Sequence, residues 1–221
     1  MSKKLVNTLI ILVVILLIAA MSSCSKGTNE NETKLSDAEY ESLMKQVAQK
    51  DVDICYDEYL RDEAFAVAEV FGVDREGDQG TAYAYLNEGD YVVLKGKAYI
   101  LSGSAGEVIL KYNYTDGDVI LSEVEWGDLG ELKEGWIKEN FPAIYLERAN
   151  AYSPYDVNGK SILEVKLIEK VENALGVPVE TESFLEIDTD KGTYEIWRVK
   201  DDHGATFDTE TMETGKLEDL R

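Results

Sequence analysis

The sequence predicts an α+β fold, in which a long N-terminal helix packs on a curved antiparallel β-meander and is followed by helices and a C-terminal hairpin. Two observations support this prediction. Apolar residues recur at helical spacing near the start, and the middle of the chain holds five runs rich in Val, Ile, Tyr and Ala between short polar segments. Short connections between consecutive strands favour antiparallel neighbours. With 44% hydrophobic residues, the chain can bury an apolar core.

The first residues have the three-part order of a secretory signal. Lys3 and Lys4 precede an uncharged apolar block from Leu5 to Ala20, and small residues follow. A helix over that block covers roughly 24 Å, less than the roughly 30 Å of hydrocarbon that a stable span must cross. We therefore expect residues 1–23 to be a signal peptide that is removed.

The segment Met21-Ser22-Ser23-Cys24 resembles the lipobox of bacterial lipoproteins, although leucine is usual where Met21 stands. The resemblance implies that Cys24 becomes the lipid-modified N-terminus, anchored on the extracytoplasmic face of the cell membrane. Two acyl chains make such attachment stable, whereas one does not. The alternatives are an ordinary cleaved secretory signal and a short uncleaved anchor.

The charge of the chain restricts its partners. The formal net charge is −22 at pH 7, which opposes binding to nucleic acid and to anionic lipid headgroups. We expect no nucleic-acid partner and a membrane contact through the lipid alone, while divalent cations and a basic protein partner stay open. Residues 24–35 are polar after the cysteine and are predicted to be a flexible tether.

A single α+β domain is predicted over residues 36–200. Ser36 and Glu39 form a capping box, and apolar residues behind them predict a helix over about residues 37–60. Cys55 lies on the apolar side of this helix, which favours a buried core residue over a reactive thiol.

The meander is predicted from five strand-like runs. The runs are AFAVAEVFGV, TAYAYL, YVVLKGKAYIL, EVILKYNY and VILSEVEW, separated by DREGDQG, NEGD, SGSAG and TDGD. For the last connection we favour a three-residue loop, 115–117, with a bulge beside Gly117. This register places Val108, Leu110, Tyr112 and Tyr114 beside Ile120, Val124 and Trp126, whereas a two-residue loop sets Val108 and Leu110 on the same face as Glu123 and Glu125.

Helices and a hairpin complete the predicted domain. A short helix ends at Phe141-Pro142, another follows, and a clearer helix begins at Ser161 with Glu164 in the capping-box position. Its predicted apolar side consists of Ile162, Val165, Ile168, Val171 and Leu175. A hairpin around residues 191–192 either joins the main sheet or stands apart, and the acidic residues 201–221 are predicted to be disordered.

The sequence nominates little chemistry. It has one histidine, His203, and no recognised nucleophile, phosphate-loop or zinc motif, so we expect no catalytic residue, no metal site and no cofactor. Tyrosine is a rigid contact residue with one polar end, but it also simply favours strands. These tyrosines therefore either fill the sheet or form a binding face. The ligand-binding candidates are the strand tyrosines Tyr83, Tyr85, Tyr112 and Tyr114.

The order of elements resembles a group of small, uncharacterised lipoproteins of Gram-positive bacteria. The resemblance rests on the N-terminal helix, AVAEVFGV, TAYAYL, SGSAGEVILKY, ENFP and SILEVKLIEKVENALG, and covers about residues 36–176. It implies an exported α+β domain and brings no activity with it. A long helix on a curved antiparallel sheet is also similar to cystatin-like and NTF2-like folds, an analogy that does not carry function.

These observations predict a lipid-anchored extracytoplasmic protein that presents a non-enzymatic ligand- or protein-binding domain. One alternative is an envelope hydrolase that uses a pair of Asp or Glu residues. Another is an accessory or sensory subunit of a membrane complex, which differs from the first only in its partner.

Overall fold

Four long strands form the main sheet of the computed structural model, which describes residues 34–50, 60–127, 133–181, 184–189, 192–197 and 213–221. The strands are β1 (Glu63–Glu76), β2 (Gln79–Leu94), β3 (Lys97–Thr115) and β4 (Asp118–Trp126). They are antiparallel and lie in chain order. The predicted α+β class is confirmed.

Helices cover both faces of this sheet. The helices are α1 (Asp37–Lys50), α2 (Lys133–Asn140), α3 (Ala143–Ala151) and α4 (Ile162–Leu175). We call the face that packs against α1 the first face; its apolar cluster includes Ala82, Ala84 and Leu86 of β2. The second face packs against α2, α3 and α4. Strands β1, β2 and β3 therefore contribute side chains to apolar clusters on both faces.

Helix α1 begins as predicted. The Ser36 amide donates to a Glu39 carboxylate oxygen (2.7 Å), and the Glu39 amide donates to the Ser36 hydroxyl (3.3 Å). Its buried residues are Leu43, Met44, Val47 and Ala48. The remainder of the predicted helix, with Cys55, lies outside the described residues except for Leu60, which is in a turn.

The prediction of five strands separated by four glycine-containing turns is wrong in the middle of the sheet. The segments NEGD (87–90) and SGSAG (102–106) lie inside β2 and β3 and pair with each other, with Gly89 opposite Gly103. The actual turn between β2 and β3 is Lys95-Gly96, within a run predicted to be strand, and both residues have positive φ. Gly89 and Gly103 therefore lie within a pair of strands, next to a bulge at Leu101, and not in a turn.

The predicted three-residue loop between β3 and β4 is also wrong. Thr115 pairs with Asp118 across a two-residue turn, in which Asp116 and Gly117 both have positive φ. A bulge lies farther along β4, between the partners of Lys111 and Tyr112. Because it shifts the register by one residue, Leu110 still faces Val124 and Val108 still faces Trp126. The placement of Val124 and Trp126 beside Leu110 and Val108 was predicted correctly, although the bulge that produces it lies elsewhere. The placement of Ile120 on the same face was wrong, because Ile120 pairs with Asn113 and is 47% exposed.

Helix α4 begins as predicted, but its buried side agrees with the predicted one only in part. The Ser161 hydroxyl accepts from the Glu164 amide, and Gly176 ends the helix with φ 69°. The buried residues are Leu163, Leu167 and Val171, whereas Ile162 and Val165 are exposed. The sequence offers two overlapping apolar stripes that share Val171, and tertiary packing buries the one that contains Leu163 and Leu167.

The C-terminal hairpin stands apart from the main sheet. Strands β5 (Phe184–Thr189) and β6 (Gly192–Trp197) pair antiparallel, and β7 (Glu213–Lys216) adds parallel to β5. A short helix, α5 (Leu217–Leu220), follows, and Leu220 packs with Ile187 and with Leu94 of β2. Disorder was therefore predicted wrongly for residues 213–221, where one leucine is buried; residues 201–212 lie outside the described residues.

Candidate functional site

The four candidate tyrosines lie on opposite faces of the main sheet. Tyr112 is buried on the first face beside Tyr114, with ring centroids 5.5 Å apart. The guanidinium of Arg75 lies 3.5 Å from the centroid of the Tyr114 ring and 3.1 Å from the Glu39 carboxylate. The contacts of Arg75 with Tyr114 and Glu39 therefore connect the start of α1 to the sheet. Because Tyr83 and Tyr85 lie on the other face, the four tyrosines do not form one binding face.

Tyr83 and Tyr85 lie on the second face, and Tyr85 is the centre of a polar row. In the strand register, Glu69 of β1 stands directly opposite Tyr85, and Glu107 of β3 stands opposite it on the other side. Directly opposed residues place their side chains on the same face of a sheet. A glutamate thus flanks Tyr85 on each side.

Helix α3 positions a further tyrosine, Tyr152, over this row. The Tyr145 hydroxyl donates to Asp74 (2.8 Å), and Arg148 donates to the Phe71 carbonyl (3.0 Å). Gly72 makes room for the Tyr145 ring, which a Cβ at that position would overlap. Held in this way, α3 ends next to Tyr152, whose ring centroid lies 5.3 Å from that of Tyr85.

The Tyr152 hydroxyl is buried and has no hydrogen-bond partner among the described residues. Burial, followed by the charges of Glu69, Tyr85 and Glu107, raises the pKa of Tyr152 to about 12. The hydroxyl consequently remains protonated at physiological pH, within the electrostatic influence of two carboxylates.

The loop from Tyr152 to Ser161 forms the outer side of the site. The Asp156 carboxylate accepts from the amides of Asn158 (2.8 Å) and Lys160 (2.9 Å), which gives the loop a fixed turn. Tyr155 is 56% exposed and lies near enough to Tyr85 to contribute to its raised pKa, after burial and Glu107. We call Glu69, Tyr85, Glu107, Tyr152 and Tyr155 the Tyr85 cluster.

The two carboxylates of the Tyr85 cluster differ in their surroundings. Glu107 is only 5% exposed, whereas Glu69 is partly exposed and lies 3.6 Å from the ammonium group of Lys166. Solvent screens a buried carboxylate weakly, so it attracts a nearby cation more strongly than an exposed one does. Tyrosine rings add a cation–π attraction. The cluster is therefore suited to a positively charged group.

The strand register bears on the alternative of an acid–base hydrolase, which needs two carboxyl groups facing a common bond. Glu69 and Glu107 stand on either side of Tyr85, and Glu69 is engaged by Lys166. The row presents a tyrosine between two acids rather than two acids facing a common bond.

The Tyr85 cluster had no complete signal in the sequence. Tyr85 was a candidate, but Glu69, Glu107, Tyr152 and Tyr155 were not. Pairing the segment NEGD with SGSAG sets the β2–β3 register and would have brought Glu107 opposite Tyr85. Cys24 and His203 lie outside the described residues.

In comparisons with protein-family models, curated proteins and solved structures, nothing matches this chain. Among the residues that the structure describes, every helix is too short or too polar to span a bilayer. Within that same part of the chain, no three His, Cys, Asp or Glu side chains are grouped as a metal site requires.

Proposed function

We propose that this protein is a lipid-anchored extracytoplasmic lipoprotein whose α+β domain binds a positively charged group of a ligand or partner protein, without catalysis. The signal-like N-terminus, the lipobox-like segment ending at Cys24 and the polar tether support the anchor. The resemblance to small lipoproteins of Gram-positive bacteria agrees with it. The binding role rests on the domain.

The observation that carries the binding role is the row Glu69–Tyr85–Glu107 beneath Tyr152. It combines carboxylates, aromatic rings and a protonated phenol at one place on the second face. These groups recognise ammonium and guanidinium ions through charge, cation–π contact and hydrogen bonding. The net charge of −22 further favours the approach of a cation.

The anchor is tested by expressing the full chain and its Cys24→Ser variant in a bacterial host and comparing membrane fractions. We expect the native chain to fractionate with membranes and to carry a diacylated Cys24 in the mass of its N-terminal peptide. The variant should lose both properties. An unmodified N-terminus in the native chain would contradict the anchor and leave the binding proposal standing.

The cation site is tested with Nα-acetyl-lysine amide as the probe and its neutral norleucine analogue as the control ligand. We expect the lysine probe to shift the NMR signals of Tyr85 and Tyr152, and Glu107→Gln to weaken binding about tenfold because a charged contact is lost. Glu134→Gln, an exposed change on α2, is the matched control. Equal binding of both ligands would refute charge recognition.

A further inference from the structure

Exposed apolar side chains gather in one short segment, the loop before α4 and the first turn of that helix. In the part of the chain that the structure describes, six large apolar side chains are exposed, and four of them lie within eleven residues. Single exposed apolar side chains are ordinary on a protein surface, whereas a group of them marks an interaction surface. We call these four the apolar lobe: Tyr155, Val157, Ile162 and Val165.

Backbone hydrogen bonds close the loop that carries half of the lobe. The Ile162 amide donates to the Pro154 carbonyl (2.9 Å), and the Asp156 amide donates to the Lys160 carbonyl (2.8 Å). Between these bonds, Tyr155 and Ser161 form an antiparallel bridge. Val157 lies in the turn that these contacts enclose and is fully exposed. A closed loop therefore holds this side chain in solvent.

The other half of the lobe lies on the outer side of α4. The helix buries Leu163, Leu167 and Val171 against the sheet. Ile162 and Val165 are exposed, and residues three apart lie side by side on a helix. The outer side of a surface helix ordinarily carries polar residues. An apolar pair at this place is consequently free for an outside contact.

The charges around the lobe nearly cancel. Residues 153–176 hold four acidic and three basic side chains, a net charge of −1, whereas the whole chain has 44 acidic and 22 basic residues. The Asp156 carboxylate accepts from two amides of its own loop, and Lys166 lies 3.6 Å from Glu69. The lobe therefore lies in a part of the acidic chain where charge opposes an apolar contact least.

Helix α4 lies close to the place where the predicted tether enters the domain. Lys170 donates to Glu41 (2.7 Å), and Glu41 is four residues after the first residue of α1. Val165 is five residues before Lys170, roughly 7.5 Å along the helix. As a flexible coil, the ten residues 25–34 reach roughly 17 Å. A lipid on Cys24 would thus hold the lobe near the bilayer.

We propose that the apolar lobe inserts into the interface of the extracytoplasmic leaflet, so that the domain contacts the bilayer at a second place besides the lipid. The inference rests on the proposed lipid anchor and goes beyond a contact through the lipid alone. Tyrosine and aliphatic side chains suit the membrane interface. Tethering raises the effective concentration of the bilayer at the lobe, so a small apolar contact suffices.

The bilayer is favoured over two other occupants of the lobe. A second copy of this chain carries the same net charge of −22 and is repelled. A partner protein has to be encountered, whereas the anchored domain always has the bilayer within reach. Because Tyr155 belongs both to the lobe and to the Tyr85 cluster, insertion would bring that cluster to the membrane surface.

The experiment uses the full expressed chain, purified from host membranes and placed in phosphatidylcholine nanodiscs that contain a doxyl spin-labelled lipid. Methyl NMR of isoleucine and valine measures the line broadening that the spin label causes. We expect strong broadening of the methyl signals of Val157, Ile162 and Val165. Ile120, an exposed isoleucine on β4, is the internal control and should not broaden.

A pair of variants tests the energetic role of the lobe. Val157→Ser should lower the equilibrium constant for bilayer contact about tenfold, since burying a valine side chain favours it by about that factor. The broadening at Ile162 and Val165 reports this loss. Ile120→Ser removes an exposed apolar side chain elsewhere and should leave that broadening unchanged. Circular dichroism checks that both variants fold.

The mass of the N-terminal peptide, read in the same sample, separates this inference from the anchor. A diacylated chain without broadening at the lobe would overturn the inference, leave the anchor standing and assign the lobe to a protein partner. An unlipidated chain would overturn the anchor and, with it, the inference. Equal broadening of Ile120 would show a contact that is not specific to the lobe. Lobe signals that shift with chain concentration in the absence of nanodiscs would assign the lobe to a second copy instead.

Discussion

The two faces of the main sheet bury side chains of different chemistry, and adjacent residues of β2 show the contrast. Leu86 lies on the first face, fully buried among aliphatic residues that pack against α1. Tyr85 lies on the second face, between two glutamates and beneath Tyr152. The first face contributes mainly burial of apolar area, whereas the second combines packing with polar groups that can recognise a ligand.

The largest effect that separates the faces is expected at Leu86. Leu86→Ala should lower the free energy of unfolding by about 3 kcal/mol, because it removes buried methyl groups and leaves a cavity. Tyr85→Phe should lower it by less than about 1 kcal/mol, since the ring remains and only a hydroxyl is lost. Urea unfolding followed by circular dichroism measures both. Equal losses in the free energy of unfolding would show that the polar groups of the second face stabilise the fold as much as the apolar side chains of the first.

A smaller effect is expected at Gly72, which tests how the second face holds α3. Gly72→Ala should cost about 2 kcal/mol, because the new methyl group displaces the Tyr145 ring. Gly135→Ala on α2 is the matched control, since its Cβ would meet open space. Combining Gly72→Ala with Tyr145→Ala should make the glycine substitution nearly neutral. Without that rescue, the close approach would not be the cause.

The smallest effect concerns the Tyr152 hydroxyl. Burial and the nearby Glu69, Tyr85 and Glu107 raise the pKa of Tyr152 to about 12 in the folded chain, above roughly 10 for an unfolded tyrosine. Its contribution to stability is complete below pH 10 and is lost as the pH rises toward 12. Tyr152→Phe should therefore lose less stability than the native chain between pH 10 and pH 12. Parallel unfolding curves across that range would contradict the placement of the hydroxyl.

The first face could be predicted from the sequence because its signal is local. TAYAYL alternates small and aromatic residues, and the residues behind the Ser36 cap recur at helical spacing. Each pattern lies within one short segment and indicates which of its residues a neighbouring element buries. The helix start and the class of the fold followed from them.

The second face could not be predicted in the same way because its signal is distributed. Glu69, Tyr85 and Glu107 come from three strands, and their alignment depends on register across two pairings. The glycine-containing segments of β2 and β3 have turn-like composition, which concealed that register. Tyr152 reaches the row only because α3 is fastened by Tyr145 and Arg148.

The strand connections also differ in their consequence for the order of folding. Two-residue turns join the strands of the main sheet, so its contacts are local and its contact order is low, which favours rapid formation. The parallel pair of β5 and β7 brings Leu185 to Glu213, across a much longer stretch of chain. Loop closure for that pair is entropically costlier. The small sheet should consequently assemble late, on a meander that has already formed, and helix α5, which follows β7, then packs Leu220 against Leu94.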